Sequence, residues 1–412
     1  MHNHQIITDS RQQIALLLYL SGTSIMSSFT ETIQGFQWLP ILMAAIILII
    51  TSTRFTSIAK SHLQKRQIQL MIRKITRSNS SNNTNGIQVS SIHVHPIKSL
   101  RAVSVTSTRL TNLGLAGDRT LMLVRPSSSN GKYRFLTQRQ CPKLATINTS
   151  LPATENNLTK ITISHQETNQ SITVDVTPSS LLRNPVRLNA GLWDDTVQVV
   201  DLGDEASSFF QSILASYDNT DDTTDDYSDI RLVAQIPNQE RRVDSKYCPP
   251  ATIDLFGRVP KVSLTDGFPI LIASESSLNE LNRRLKSKGK PAININRFRA
   301  NIVIKGELLK AFEEDEWKAI QIGKDGPILH VVKGCPRCKQ SCTDQMTGER
   351  FEEPLVTLKE FRALGKDAAD VYFAQNVVLQ PGMDGKVICV GDQVHVLTRG
   401  EPVWDKDTVQ AE

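Results

Sequence analysis

The chain has 412 residues, 39% of them hydrophobic and 22% charged, with 47 basic and 42 acidic side chains giving a formal net charge of +5. That length leaves room for two domains and an appendage, and the composition is that of a globular rather than a disordered protein. The small charge excess, with no basic stripe interleaved with aromatics, argues against a nucleic-acid partner, and six unevenly spaced cysteines are too few for a secreted disulfide scaffold.

Residues 1–35 form a nearly neutral N-terminal segment. From Phe36 to Ile50 the sequence reads FQWLPILMAAIILII, apolar apart from Gln37. Extended to Thr53, this 36–53 run is just long enough to cross a bilayer as a helix at ~1.5 Å per residue. Trp38 suits a membrane interface, and Pro40 falls in the first turn, where a proline is tolerated. The flank that follows, RFTSIAKSHLQKRQIQLMIRKITR, is basic without an acidic residue. The positive-inside tendency therefore predicts a single-pass anchor with its C-terminal side in the cytosol. The rival, a secretory signal peptide, would start earlier, behind a basic region, and end at a small-residue cleavage site. Residues 54–86 are this basic segment and a flexible linker, SNSSNNTNG at its end.

Residues 87–217 alternate short β-rich runs with turn signals: IQVSSIHVHPI, AVSVTSTRL, RTLMLV, KITIS, SITVDV and DTVQVVDL. Such lengths and punctuation predict an all-β first domain of barrel type. ASSFFQSILASY (206–217) has helical spacing, and the acidic run DNTDDTTDDYSD (218–229) reads as a solvated loop and domain boundary. It lacks the spaced pattern of an EF-hand. A second domain, 230–398, is predicted to open with the strand IRLVAQ and continue through KVSLTDGFPILIAS into a helix capped by Ser274, with Leu278 and Leu281 at helical spacing. NIVIKG, AIQIG, ILHVV, VVLQ and VHVL read as strands, EPLVTLKEFRAL as a helix, and 399–412 as a tail. The fold class is mixed α/β and β-rich, in two domains.

Half of the cysteines crowd into the eight positions 335–342, in VVKGCPRCKQSCTDQMTGER. A structural zinc site usually takes four ligands, often as two CxxC pairs, and an iron–sulfur cluster also needs a fourth partner. A thioredoxin-like pair belongs at a helix start in an α/β pattern. A single reactive thiolate is the simplest remaining reading. Arg337 and Lys339 flank Cys338, and positive neighbours favour the thiolate that a soft, redox-active metal prefers. Spacing alone goes no further.

GCPRCKQSCTDQMTGE, EPLVTLKEFR, YFAQNVVL and VGDQVHVL resemble the core of the MOSC family, the C-terminal domain of molybdenum-cofactor sulfurases. HPIKSLRA, GLAGDRTLMLV and FLTQRQCPKLATI resemble the MOSC N-terminal β-barrel domain that precedes that core. The resemblance spans roughly 87–398. With one N-terminal anchor and no aminotransferase-like domain, hence no need of pyridoxal phosphate, the arrangement is similar to the amidoxime-reducing branch of that family. The resemblance implies a molybdenum–molybdopterin cofactor whose metal is held by Cys338, the catalytic cysteine. It implies that Lys98, Ser99 and Arg119 contact the pterin phosphate, that Asp266 and Arg299 hold the pterin, and that Arg337 and Asn376 lie beside the metal. A buried dianionic phosphate needs cations, and arginine offers it paired hydrogen bonds.

The implied activity is reduction of N-hydroxylated compounds such as amidoximes and hydroxylamines. No GxGxxG follows a strand, so the electrons are expected from a b-type cytochrome and its NADH-dependent reductase. The implied location is the mitochondrial outer membrane, with the endoplasmic reticulum as the alternative. Two other functions stay open: a molybdenum-cofactor carrier or sulfur-handling protein without reductase turnover, and a zinc-stabilised membrane adaptor. Plainer roles also stay open for single residues. Lys98 and Arg119 could be surface cations, Arg299 part of a structural ion pair, and Asp266 the start of the turn before Gly267-Phe268-Pro269. Cys335 and Cys342 read as thiols without a ligand role, and Ala374 stands near Asn376 where the family has a glycine.

Overall fold

The computed structural model describes residues 86–127, 133–151, 159–215, 227–254, 256–365 and 370–405. The anchor expected at 36–53 lies outside them, and among the described residues no helix is long and apolar enough to cross a membrane. The expected β-rich architecture with a barrel is what the chain forms.

Its largest layer is an eight-stranded sheet, ordered Val103–Val105, Gln88–Val94, Ile302–Lys305, Ile270–Ser274, Tyr372–Leu379, Ile328–Pro336, Trp317–Ile322 and Val394–Arg399. Alternation of side chains fixes its two faces. Ile270 and Ile272 point into a core with Ile92, Ile304, Trp317 and Val331, whereas Leu271 and Ala273 join Leu281, Leu285, Phe298 and Phe373 on the other side. The helix Glu275–Ser287 covers that second side. Its first turn is capped as expected, Ser274 Oγ accepting from the Ser277 N–H at 3.1 Å, and its Leu281 and Leu285 are buried. The helix joins Ile270–Ser274 to its parallel neighbour Ile302–Lys305, the crossover that a parallel pair requires.

A second layer is a closed five-stranded barrel of Arg187–Leu192, Asp195–Asp201, Arg231–Gln235, Leu121–Pro126 and Tyr133–Phe135. Met122, Val124, Phe135, Leu192, Val197 and Val233, drawn from all five strands, fill it. The alternate residues Leu121, Leu123, Leu232 and Ala234 face outward onto the helix Asp204–Leu214, whose Phe209, Phe210 and Ile213 are buried.

The two expected domains are interlaced, and this corrects the strand assignments read from the sequence. IQVSSIHV does not enter the barrel: Gln88–Val94 pairs with Ile302–Lys305 in the large sheet. IRLVAQ does not open the second domain either. Arg231–Gln235 pairs with both Asp195–Asp201 and Leu121–Pro126, which closes the barrel. Residues 218–226 of the acidic run lie outside the described residues, and the strand that closes the barrel follows the run in the chain. Local patterning marks a run as a strand but says nothing about its partner.

The pairing of Ile328–Pro336 with Tyr372–Leu379 breaks register twice, between Val331 and Lys333 and between Gly334 and Pro336. Opposite the second break the buried Ala374 has φ of 71°, a left-handed backbone that disfavours a Cβ. The glycine that the family resemblance leads one to expect there would be free of that cost. Substituting Ala374→Gly relieves about 1 kcal/mol of backbone strain and loses a similar amount of buried methyl and chain entropy. The change is expected to leave the melting temperature nearly unmoved. Ala273→Gly, at an equally buried position without that strain, is expected to cost about 1 kcal/mol or more, and paired thermal melts compare the two.

Candidate functional site

Loops at the ends of several strands converge on one cleft. His95–Leu100 follows the first strand of the sheet, Gly117–Thr120 leads into the barrel strand Leu121–Pro126, and Thr265–Phe268 precedes Ile270–Ser274. Arg299 ends the turn Ile295–Phe298, while Cys335–Gln340 runs off the strand Ile328–Pro336. The cleft holds about 730 Å³ not filled by atoms, part of it open to solvent. All eight residues expected from the sequence line it: Lys98, Ser99, Arg119, Asp266, Arg299, Arg337, Cys338 and Asn376. Asn376 sits on the strand Tyr372–Leu379 and donates from Nδ2 to the Gly334 carbonyl at 3.4 Å.

The backbone is bent to bring these side chains in. Ser99, Arg119 and Arg299 have φ of 68°, 49° and 56°, values that cost non-glycine residues energy and persist only where the surroundings impose them. Hydrogen bonds do the imposing. The Arg119 N–H donates to the His95 carbonyl at 2.6 Å, and the Lys98 N–H to the Leu121 carbonyl at 2.8 Å.

Beneath the cleft Asp118 accepts from Arg119 Nη1, from Asn301 Nδ2 at 2.9 Å and from the His95 N–H at 2.7 Å. Burial raises its pKa, but Arg119 and His95 outweigh that and hold the carboxyl down at about 2. Burial, then the positive charges of Arg119 and Arg299, keep the His95 imidazole neutral, well below its ordinary range. Lys98 is paired with Asp266, yet burial still lowers the ammonium to about 8. Burial alone would raise Asp266 too. Lys98 most of all, with Arg139 and Trp193, instead holds it below the usual carboxylate range. Burial, reinforced by Arg119 and Arg337, lowers Arg299 to about 9 against the pull of Asp118 and Asp266. An arginine keeps its proton at neutral pH, so this shift measures the cost of holding the charge there.

Five cations therefore line the cleft, Lys98, Arg119, Arg139, Arg299 and Arg337, against the single carboxylate of Asp266. Several buried polar atoms around it lack a hydrogen-bond partner: Arg299 Nη2, Arg337 Nε, Thr265 Oγ1 and Arg241 Nε. Buried donors are normally satisfied, so an excess of positive charge and idle donors describes a receptacle for an anion.

At the other end of the cleft is Cys338. Arg337 turns away from it, donating from Nη1 to Cys335 Sγ at 2.9 Å and from Nη2 to the Phe298 carbonyl at 2.9 Å. The guanidinium that reaches the Cys338 sulfur is that of Arg139, whose Nε donates at 3.1 Å. The cation beside the sulfur thus comes from the barrel rather than from the sequence neighbours. Cys342 is buried, its Sγ 3.2 Å from the Glu352 carbonyl, and burial pushes its thiol up. Among the described residues no group of three or more His, Cys, Asp or Glu side chains could hold a metal ion. A metal needing three or four protein ligands does not fit here. A metal carried by an anionic organic group, asking of the protein one soft sulfur and a cationic cradle, does.

Sequence reasoning missed Arg139, Trp193, Asp118, Asn301 and Thr265. Arg139 and Asp118 lie inside the motifs FLTQRQ and GDR, and could have been picked out from them. Trp193, a lone tryptophan, gave no signal.

The family described as MOSC N-terminal beta barrel domain matches residues 86–217, and the MOSC domain matches residues 259–395. The mitochondrial amidoxime reducing component 2 of Rattus norvegicus is 31% identical over 322 residues, 77% of this chain and 82% of that protein. The mitochondrial amidoxime-reducing component 1 of Homo sapiens is 30% identical over 320 residues, 75% of this chain and 82% of that protein. A molybdenum cofactor sulfurase of Aspergillus terreus is 27% identical over 341 residues, 75% of this chain but only 40% of that protein's length.

The cleft's charge gives a pH dependence. An anion stabilises protonated Lys98, which predominates below about 8 and is lost above it. Affinity for sulfate, whose charge is constant across this range, is expected to fall as pH rises through about 8. Substituting Lys98→Met is expected to weaken binding and flatten that step, as read from sulfate-dependent melting temperatures at pH 7 and pH 9.

Proposed function

The chain belongs to the MOSC family, carrying its N-terminal β-barrel and its MOSC domain, and on that footing we propose that it is a molybdenum-cofactor oxidoreductase reducing N-hydroxylated compounds such as amidoximes and hydroxylamines. One observation carries the reading: a single cysteine sulfur, Cys338, shares a cleft with Lys98, Arg119, Arg139, Arg299 and Arg337. Relatives named amidoxime reducing component, of which this chain spans 82%, support a reductase.

In this reading Lys98, Ser99 and Arg119 take the pterin phosphate, Asp266 and Arg299 the pterin, and Cys338 the metal, with Arg337 and Asn376 beside it. The bound cofactor supplies a two-electron redox centre. The residues' part is to compensate a buried dianion with fixed charges, arginine doing so through paired hydrogen bonds, and to fix the sulfur against the substrate space. Converting N–OH to N–H consumes two electrons and two protons and releases water. The electrons come from a b-type cytochrome and its NADH-dependent reductase. A membrane anchor at 36–53 would hold enzyme and partners on one surface and raise their effective concentration. The mitochondrial outer membrane is the proposed location, in keeping with the relatives' names.

The sulfurase relatives favour a second reading, a cofactor carrier or sulfur-handling protein without turnover. Metal and pterin analysis of wild type beside Cys338→Ala, with benzamidoxime reduction driven by the haem protein and reductase, tests both. The expected result is equimolar molybdenum and turnover in wild type. The variant should fold and melt with cofactor-free wild type rather than with the loaded enzyme, while losing metal and activity to background. Bound molybdenum without turnover would favour the carrier. Zinc in place of molybdenum in wild type, or undiminished molybdenum and turnover in the variant, would overturn the reading.

A further inference from the structure

We propose that Arg139 and Trp193, both contributed by the barrel, form a clamp that positions the Cys338 sulfur and tunes its electron donation. The inference rests on the reading of Cys338 as the molybdenum ligand and gives two further residues a role at that ligand.

Trp193 begins the two-residue loop of a hairpin, since Leu192 pairs with Asp195. Its φ is 58°, a conformation that hairpin loops ordinarily assign to glycine, asparagine or aspartate. A bulky residue kept in a costly backbone state points to a use for its side chain. The half-exposed indole makes three contacts. One contact is with the Phe135 ring, centroids 5.2 Å apart. The ring N–H donates to Asp266 Oδ1 at 3.1 Å. The Arg139 guanidinium lies over the ring, 4.4 Å from its centroid.

Stacking on an aromatic face leaves the N–H edge of a guanidinium free to make directed hydrogen bonds. Arg139 Nε is spent on Cys338 Sγ, 3.1 Å away. The segment carrying Arg139 is held in turn by a residue that follows the cysteine loop: Arg350 Nη2 donates to the Gln138 carbonyl at 2.5 Å and to the Arg139 carbonyl at 3.0 Å. An unbroken run of contacts therefore leads from Cys338 through Arg139 and Trp193 to Asp266 and Lys98. It ties the sulfur at one end of the cleft to the cations at the other.

An N–H donated to a ligating sulfur draws electron density from it, which favours the more electron-rich, reduced state of the metal it binds. Arg139 is thus a positioning residue that sets the reduction potential, and Trp193 holds it in place. The test is a redox titration of the protein-bound molybdenum followed by electron paramagnetic resonance, on wild type, Arg139→Leu and Trp193→Leu, with metal content and melting temperature measured alongside. Arg139→Leu is expected to keep most of its molybdenum, because the cations opposite are untouched. Its midpoint potential should move to more negative values, and its signal should change shape. Trp193→Leu, at a half-exposed hairpin tip, should move the potential the same way by less, and it carries the test if the arginine variant does not fold. Arg139→Lys, which restores the charge without a stacked N–H edge, should fall between Arg139→Leu and wild type. Loaded variants with the wild-type potential and signal would overturn the inference alone. A wild type that binds no molybdenum would overturn the parent reading and this one with it.

Discussion

The structure is organised around like charges held close together and away from water. Lys98, Arg119 and Arg299 reach one cleft, and the lowered values of Lys98 and Arg299 show how poorly the protein alone compensates them. Each positive group disfavours the next, and burial penalises all of them. What keeps them there is a backbone bent into left-handed conformations at Ser99, Arg119 and Arg299, with two carboxylates below and beside, Asp118 and Asp266. A protein carries such a cost when a ligand of opposite charge removes it.

The interlaced fold is how that arrangement is built. Lys98 and Arg119 come from segments flanking barrel and sheet, whereas Arg299 and Cys338 come from the second half of the chain. The halves are joined at the cleft by buried amides: Gln138 and Gln345 donate to each other at 3.0 and 2.8 Å, and Gln138 also donates to the Ser99 carbonyl at 2.7 Å. Arg299 enters the same network, donating to the Leu100 carbonyl at 2.7 Å and to Gln345 at 3.3 Å. Arg101 extends it by donating to the carbonyls of Ala145, Gln345 and Met346. Buried, mutually satisfied polar groups of this kind specify one docking geometry, since any other would strand them.

Much of this was legible in the sequence, for reasons that differ by level. Strands such as Leu121–Pro126 and Ile328–Pro336 announce themselves through short apolar runs, and the Ser274 cap through a hydroxyl placed ahead of a helical pattern. Their partners do not, because pairing is a long-range choice that local pattern leaves open: nothing in Gln88–Val94 or Arg231–Gln235 marks which sheet each joins. The lining residues were legible through motifs rather than physics. Lys98, Arg119 and Cys338 stand far apart in sequence, and only the fold brings them together. Arg139 shows the limit: an arginine in a recognisable motif, whose partner sulfur is 199 positions away.

The first strand of the large sheet has a consequence for how the protein is made. Gln88–Val94 pairs with Ile302–Lys305, so at typical synthesis rates roughly 200 residues and some 10–40 s separate its emergence from the ribosome and that of its partner. During that wait it is a β-prone segment with an unpaired edge, open to wrong associations. Its outward side carries Ser91 and His93 between the buried Val89, Ile92 and Val94. Polar side chains that interrupt an apolar strand lower its tendency to self-associate while its partner is still to come.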